Sequence, residues 1–486
     1  MSARPVGTNR IGHTLALKDS DAVSLVSIIR DFCAAHGIAE STFGRHAVND
    51  GKFVSRISKG SWIAPETEQR VRAFMQKAER GEIVLRGRPR RKKSESRAYK
   101  MAELISQETS IRTPGSFAIH EQRHRFHVFA ATTNEAWVHA DIITEDLLQL
   151  DPVPKVFRIF YAPMDNGITL ARVLRALHAH HPDVPVQVVL KGWGLEDLRN
   201  TMGRMVDRLS EHPQTVLVFT NLYTREAVEL RKTTTEGPQD IKWHDVQLSD
   251  SDSYAFQKQV GALFAKLAPD WVVRQGEDDL PVYANPSVVC IYRSDQSDLL
   301  DHLIPRQGAV NLEFDYCFLN HPYLHSHTMA FRTDYVLHPV IRSLAPGGMM
   351  KVVQSLGDDP AHEMIRRVAG TTALKCVSRH DIISELRKTM GEAQRGYSFS
   401  GLTDATSLFR FDMHTLPVVE DGNIGALSLQ GVWNNAVFFA QFREELAQAT
   451  MRESDRYLQI TRDVVSENGG LWFVNESFSV TRKSGP

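Results

Sequence analysis

The chain has 486 residues, too many for one ordinary core, so the sequence predicts two or three domains. Apolar residues make up 42%, charged residues 24% and the net charge is −1, which is ordinary for a soluble globular protein. No apolar run approaches about 18 residues and no signal-peptide core opens the chain, so we expect a cytoplasmic protein that neither spans a membrane nor is exported.

The small net charge hides an uneven distribution along the chain. The first 100 residues hold 20 Lys and Arg against 10 Asp and Glu, a balance of +10, so the remaining 386 residues carry −11. A basic front segment on an acidic body is typical of a nucleic-acid-binding module joined to another domain.

Residues 1–84 are predicted to form an all-α domain of four short helices. Apolar residues repeat at helical spacing after Ser20, and Gly37 lies just past the end of that repeat. Ser20 and Ser41 are expected to cap the first two helices, and Pro65 is expected to open the last. The expected helix starts are Ser20, Ser41, Lys52 and Pro65.

The tight turn at residues 49–51, between the second and third helices, gives this segment a resemblance to the repressor-like helix-turn-helix domain. Three apolar residues are then expected to hold the third helix to the core: Phe53, Val54 and Ile57. Four polar residues are expected to face a DNA groove: Lys52, Ser55, Arg56 and Lys59. The alternative is a helical dimerisation or packing module whose basic residues are only solvated.

Residues 85–150 are predicted to be a basic linker followed by a connector. The linker reads L-R-G-R-P-R-R-K-K-S and contains Arg-Gly-Arg-Pro, the core of the AT-hook. Arg86 and Arg88 are expected to enter a narrow minor groove, and Arg90 and Arg91 to meet phosphates. The expected partner is therefore double-stranded, A·T-rich DNA in the nucleoid. A plain basic linker is the alternative.

Residues 151–486 alternate between strand and helix patterns, which predicts an α/β domain with a mostly parallel sheet covered on both faces. Strands are expected at residues 155–161, 185–190, 215–220, 243–248, 286–293, 314–319 and 349–354. Ligands of such sheets bind beyond the carboxyl ends of the central strands.

The first of these strands runs into the loop Tyr161–Gly167, and a helix follows. The unit resembles the opening of class I S-adenosylmethionine-dependent methyltransferases, in which the loop reads acidic-x-Gly-x-Gly-x-Gly. Here Tyr161 stands in place of the acid, Pro163 and Asp165 in place of two glycines, and only Gly167 is kept.

A second stretch carries the same resemblance. Phe314–Tyr323 is similar to the fourth strand of that fold with its active-site turn, and Leu344–Gly348 has the Leu-x-Pro-Gly-Gly pattern of a turn before the next strand. The chain is similar to bacterial class I methyltransferases with an N-terminal helix-turn-helix. The resemblance implies a Rossmann-like body.

The resemblance implies S-adenosylmethionine as the cofactor and places Tyr161, Asp165 and Gly167 at its loop. Trp193 is a candidate to stack on the adenine and Asn221 to hydrogen-bond the adenine amine, and the alternatives are simple packing for Trp193 and an ordinary strand-end turn for Asn221. The ribose-binding carboxylate expected after the second strand is replaced by Gly192, so we expect weak binding or none. One route to a rebuilt site remains, in which Asp165 supplies the negative charge and Glu196 or Asp197 reaches the ribose.

Asn320-His-Pro-Tyr323 resembles the Asn-Pro-Pro-Tyr turn of amino-methylating enzymes, which makes Asn320 and Tyr323 the candidate catalytic residues. The spacing of His321, His325 and His327 is compatible with a metal site, but neighbouring Cys or carboxylate ligands are missing, so no metal is expected. The cysteines are expected to be buried free thiols: Cys33, Cys290, Cys317 and Cys376.

A C-terminal helical insertion is expected, with helices at 429–449 and 455–466 between strands at 408–416 and 471–481. The segment 430–439 is unusually apolar and is either core or a subunit interface, which leaves homo-oligomers open.

Two functions compete on this sequence. The first is a DNA-associated, transcription-regulatory protein whose methyltransferase-like body has lost catalysis. The second is an active methyltransferase that uses its front domain to find DNA. The loop at 161–167 and Gly192 favour the first.

Overall fold

The computed structural model describes residues 19–83, 116–234, 240–275, 281–308, 312–370, 374, 376–416 and 424–484. The chain divides into two compact units, Met1–Ile111 and Arg112–Pro486. The division falls inside the predicted connector of residues 85–150. The predicted minor-groove and phosphate contacts lie outside the described residues: Arg86, Arg88, Arg90 and Arg91.

The smaller unit is helical in its described part. Its helices are α1 (Asp19–Ala35), α2 (Glu40–Val48), α3 (Phe53–Ile57) and α4 (Pro65–Glu79). One apolar core joins them, and Phe53, Val54 and Ile57 are buried in it as predicted. The predicted serine caps are wrong, because α1 begins before Ser20 and α2 begins before Ser41.

The larger unit is built on a ten-stranded sheet. Its strands, with a separate β5–β6 pair, are β1 (Phe157–Ala162), β2 (Val186–Lys191), β3 (Thr215–Thr220), β4 (Lys242–Leu248), β5 (Val273–Gln275), β6 (Pro281–Tyr283), β7 (Ser287–Arg293), β8 (Phe314–Asn320), β9 (Leu344–Ser355), β10 (Tyr397–Ser400), β11 (Leu408–Asp412) and β12 (Trp472–Arg482).

The centre of the sheet is parallel, in the order β3–β2–β1–β8–β9. Strands β2 and β3 follow β1 on one side of it, and the later strands β8 and β9 lie on its other side. This is the doubly wound order. Strand β12 adds antiparallel to β9, and β7 adds antiparallel to β3. The predicted mostly parallel α/β sheet is confirmed.

Helices cover both faces of this sheet. They are α5 (Ser116–Thr132), α6 (Glu135–Leu148), α7 (Ile168–His180), α8 (Leu195–Glu211), α9 (Thr224–Ala227), α10 (Ser253–Leu267), α11 (Ser297–Leu300), a π-helix (Phe331–Leu337), α12 (His338–Arg342), α13 (Pro360–Ala369), α14 (Arg379–Met390), α15 (Ala426–Phe439), α16 (Glu444–Glu453) and α17 (Arg456–Asn468). Alternate residues of β1 join two different apolar cores: Ile159 packs with α6, α7, α8 and α10, and Phe160 with the helices of the opposite face.

A third apolar core joins α5 to the C-terminal helices. Phe129 of α5 packs against Phe411, Phe439 and Phe473, and Arg125 donates two hydrogen bonds to the buried carboxylate of Glu444. Part of the predicted connector therefore folds with the larger unit. The apolar face of α15 also lies in this core, so the segment 430–439 is core.

The structure corrects three local predictions. Leu344–Gly348 follows α12 as expected but belongs to β9, where a bulge separates the pairs Phe314–Leu344 and Tyr316–Met349. The predicted helix 429–449 is broken after Phe439, where Gln441 has a φ of 51° in the left-handed region. Cys376 is exposed, whereas the other cysteines are buried as predicted.

In the part of the chain that the structure describes, every helix is too short or too polar to cross a bilayer.

Candidate functional site

The switch point of the sheet lies between β1 and β8, where the chain turns to opposite faces of the sheet. Doubly wound sheets bind ligands in the crevice at this point, beyond the carboxyl ends of the strands. The loops that end there are residues 163–167 after β1, 192–194 after β2 and 321–328 after β8. The predicted cofactor and catalytic residues all lie at these strand ends or, for Asn221, at the end of β3.

The loop after β1 is closed by its own carboxylate. Asp165 accepts hydrogen bonds from the Tyr161 hydroxyl at 2.9 Å, the Thr169 hydroxyl at 2.7 Å and the Gly167 N–H at 2.6 Å. Burial raises the pKa of Asp165 and raises that of Tyr161 well above its usual value. The carboxylate that was expected to face a cofactor is therefore used inside the loop.

The same loop is held against α8. Thr201 donates to the Asp165 carbonyl oxygen at 3.0 Å, and Arg204 donates to the Asn166 carbonyl oxygen at 2.9 Å. Gly167 has a φ of +80°, and a Cβ there would lie 2.8 Å from the Thr201 Cα. The positive φ and the contact of the loop backbone with the helix both favour glycine at this position.

The end of β2 carries a buried cation. The Nζ of Lys191 lies 3.8 Å from the ring centroid of Trp193. The ring of Tyr223 also lies near Trp193, with the two centroids 5.5 Å apart. Burial lowers the pKa of Lys191 to about 7. Trp193, predicted to stack on an adenine, is thus engaged in a cation–π contact within the chain.

The position of the missing ribose-binding carboxylate is filled. A Cβ on Gly192 would lie 2.5 Å from the Cε of Met164, so a longer side chain there requires Met164 to move. Asp197, in the first turn of α8, is buried in an ion pair with Arg123 of α5. Burial raises the pKa of Asp197 to about 6, against the effect of Arg123. Sequence reasoning had no signal for Arg123.

Asn221 is used within the fold at both ends of its amide. Its Nδ2 donates to the Asn285 carbonyl at 2.8 Å, and its Oδ1 accepts from the Ser287 N–H at 2.8 Å. These bonds fasten the start of β7 to the end of β3. The predicted contact to an adenine amine competes with them.

The turn after β8 sends its two predicted catalytic residues to different surroundings. Tyr323 is buried, donates to the Oε1 of Gln354 at 2.7 Å, and has the Arg332 guanidinium 4.7 Å from its ring centroid. Asn320 keeps a buried Oδ1 that has no hydrogen-bond partner among the described residues. His321, between them, has a φ of 44°.

A buried polar cluster beside this turn was missed by sequence reasoning. Glu135 of α6 lies 3.4 Å from the Nε2 of His321 and 3.9 Å from that of His139, and accepts from Asn475 at 3.3 Å. Burial acts to raise the pKa of Glu135, but His139 and the hydrogen bond from His321 outweigh it, so the pKa is lowered. Glu135 lies in the part of residues 85–150 that was predicted only as a connector.

The three histidines of the His-x3-His-x-His spacing do not meet. His321 faces Glu135, and His327 accepts from the Leu324 N–H at 3.2 Å through Nδ1. His325 turns the other way, and its Nε2 lies 3.1 Å from the Ser355 Oγ.

In the smaller unit, α3 has two distinct sides. The predicted DNA-facing residues are exposed around it: Lys52, Ser55, Arg56 and Lys59. Arg56 also pairs with Asp50 at 2.8 Å, an exposed ion pair of small energy. The outward side is therefore basic and the inward side apolar.

The chain matches no protein-family profile and no curated protein. It is similar to a protein of Listeria monocytogenes assigned to the class I S-adenosylmethionine-dependent methyltransferases, at 11% identity over 79% of this chain and 81% of that one, with a TM-score of 0.24. An O-methyltransferase family protein of Burkholderia thailandensis shares 13% identity over 97% and 99% of the two chains, with a TM-score of 0.21.

A phosphoethanolamine N-methyltransferase of Haemonchus contortus, solved with S-adenosyl-L-methionine, shares 7% identity over 71% of this chain and 99% of that one, with a TM-score of 0.16. The structure itself shows a mixed α/β chain with a mostly parallel, doubly wound sheet. At these TM-scores the likenesses carry no information about activity or ligands.

Proposed function

We propose that the chain is a DNA-binding, transcription-regulatory protein that contacts duplex DNA through α3 and whose methyltransferase-like larger unit has lost its cofactor site. The observation that carries the DNA-binding part is the two-sided helix α3. Its apolar side is anchored in the core, which leaves the basic side free to meet phosphates and base edges.

The loss of the cofactor site rests on two carboxylates. A rebuilt site was open through Asp165 together with Glu196 or Asp197. Asp165 is held by donors from its own loop and from the flanking β1 and α7, and Asp197 is held by Arg123, whereas Glu196 is exposed. A cofactor would have to displace the partners of Asp165, and those of Asp197 if it used that residue, and would also meet the buried Lys191 amine. Each displaced hydrogen bond to a charged group costs about 1.5–3 kcal/mol.

The basic linker is proposed to add a second contact in the minor groove. Arg86 and Arg88 would lie in an A·T-rich groove, while Arg90 and Arg91 neutralise phosphates. This contact extends the footprint of α3 and gives a preference for A·T-rich duplexes in the nucleoid.

The DNA contact is tested with the full-length protein and a labelled duplex over a series of salt concentrations. Lys52→Ala with Lys59→Ala is expected to weaken binding and to reduce the slope of log affinity against log salt by about 1.8, because each phosphate contact contributes about 0.9. The matched control is Lys77→Ala with Arg80→Ala, which removes the same charge from exposed residues at the end of α4.

Absence of any complex at micromolar protein and low salt would contradict DNA binding. If both double variants weaken binding equally, DNA is attracted to the positive charge of the smaller unit in general and not to α3 in particular.

The state of the cofactor site is tested by calorimetric titration with S-adenosylmethionine. We expect no saturation below millimolar ligand. The hydrogen-bonded loop after β1 and the occupied end of β2 are expected to weaken the binding free energy by about 4 kcal/mol relative to a micromolar complex. Cooperative urea unfolding of the same sample shows that the larger unit is folded, since DNA binding would report only on the smaller unit.

The active methyltransferase remains the second candidate because the buried Oδ1 of Asn320 has no hydrogen-bond partner in the described part of the chain, at the turn where amino-methylating enzymes hold their acceptor. A low-micromolar dissociation constant that Asp165→Ala abolishes would establish that reading and overturn the loss of the site.

A further inference from the structure

Three side chains with metal-binding atoms meet outside the switch point. His325 lies in the loop after β8, His362 in the first turn of α13, and Cys376 in the segment between α13 and α14. The ligand atoms of the three residues all lie within 4.8 Å of one another. The loop that begins with the predicted catalytic turn is thus brought against two later segments of the chain.

His362 is held in the orientation that a metal ligand needs. Its Nδ1 lies 2.9 Å from the Oδ1 of Asp359, and both side chains are fully buried. Asp359 is fixed in turn, because it caps α13 by accepting from the His362 N–H at 3.0 Å. The Nε2 of His362 is buried, and the Cys376 thiol lies near the imidazole. Metal-binding histidines commonly have this carboxylate behind the second ring nitrogen.

The other two donors lie at a spacing that suits one zinc ion. The Nε2 of His325 is 3.9 Å from the Sγ of Cys376. Two such atoms bound tetrahedrally to one zinc would be about 3.6 Å apart, given Zn–S of about 2.3 Å and Zn–N of about 2.0–2.1 Å. A shift of a few tenths of an ångström closes the difference.

The backbone makes room for the thiol. Gly357 has a φ of +88°, and a Cβ there would lie 2.6 Å from the Sγ of Cys376. Any other residue at this position would push the thiol away from the two histidines. The Ser355 hydroxyl also lies beside this cluster, 3.1 Å from the Nε2 of His325.

We propose that His325, His362 and Cys376 form a zinc site with Asp359 as the carboxylate that orients His362. Two imidazoles and one thiolate favour Zn²⁺ over Mg²⁺ or Ca²⁺, which take oxygen ligands. The fourth position is left for water. Binding replaces the thiol proton of Cys376, which passes to solvent, and the thiolate with Asp359 balances the charge of the ion.

The site joins the loop after β8 to α13 and to the chain leading into α14. It goes beyond the proposed DNA-binding function and does not depend on it. Its consequence is a loop whose position beside the predicted catalytic turn is set by a metal.

The test uses reduced, metal-free full-length protein titrated with Co²⁺, followed by competition with Zn²⁺. The wild type is expected to bind one equivalent and to show a cobalt–thiolate charge-transfer band. Cys376→Ser removes the band and lowers Zn²⁺ affinity more than 100-fold, beyond the roughly 10–100-fold typical of losing an outer-shell partner. Because Cys376 is exposed, this substitution leaves the core intact.

The matched control is His327→Ala, on the same loop but turned away from the cluster. It is expected to leave the band and the affinity unchanged. Asp359→Asn is expected to keep the band and to lower affinity about 10–100-fold. A wild type that binds no Co²⁺, a band that survives Cys376→Ser, or an equal loss with His327→Ala would each overturn the site.

Discussion

Replacing Glu476 by alanine lowers the free energy of unfolding of the larger unit by about 3 kcal/mol, the lower part of the range for breaking a buried ion pair. Glu476 accepts from the Nη1 of Arg379 at 2.7 Å, from the Arg379 N–H at 2.9 Å and from Gln354 at 2.7 Å. Both charged side chains are almost completely buried. Removal of the carboxylate leaves a buried guanidinium that only the exposed Asp404 still neutralises.

The measurement is urea unfolding followed by tryptophan fluorescence. Glu385→Ala on α14 is the control, because its ion pair with Lys388 is exposed and is worth at most about 1 kcal/mol. Joint replacement by Arg379→Met and Glu476→Leu should recover much of the loss, since no charge is then left alone. A loss below about 1 kcal/mol for Glu476→Ala would show that the buried Arg379–Glu476 pair does not stabilise the larger unit as expected.

Acidification from pH 6.5 to 4 removes about 3 kcal/mol of stability through His139 alone. Burial lowers the pKa of this imidazole to about 4, although Glu135 acts in the opposite direction. In that interval the unfolded chain binds a proton that the folded protein does not accept, so the free energy of unfolding decreases as the pH falls. Above pH 6.5 both states are neutral and the stability is fully present.

Urea unfolding at a series of pH values measures this effect. His139→Gln should flatten the dependence between pH 6.5 and 4, because glutamine keeps a polar group but does not titrate. His302→Gln, at an exposed position, should leave the curve unchanged. Parallel curves for wild type and His139→Gln would assign the acid sensitivity to other groups.

The central strands of the larger unit were predictable because buried parallel strands read as short apolar runs, whereas the short strands β5, β6 and β10 were not predicted. Residues 215–220 are a strand in both the sequence prediction and the structure. The helix α5 was not predictable, because its buried face includes Arg125, and a charged residue weakens the apolar repeat. Glu444 and Asn434, both far away in the sequence, explain why an arginine is buried there.

The candidate site was predictable in place but not in content. The doubly wound order puts the loops after β1, β2 and β8 together, so the position of the switch point followed from the pattern. The partner of Asp197 did not, since Arg123 comes from α5, and neither did the contact of the Asp165 carbonyl with Thr201 of α8. For the same reason the sequence spacing suggested His321, His325 and His327 as one group, whereas the fold combines His325 with His362 and Cys376.

The packing of α5 against the C-terminal helices has a consequence for synthesis on the ribosome. Arg125 and Glu444 are 319 residues apart, so at cellular elongation rates α5 waits on the order of tens of seconds for its partner. During that interval Phe129 has none of its C-terminal ring neighbours, while the core of the smaller unit can already form. The third apolar core therefore cannot be completed until the last helices and β12 have emerged.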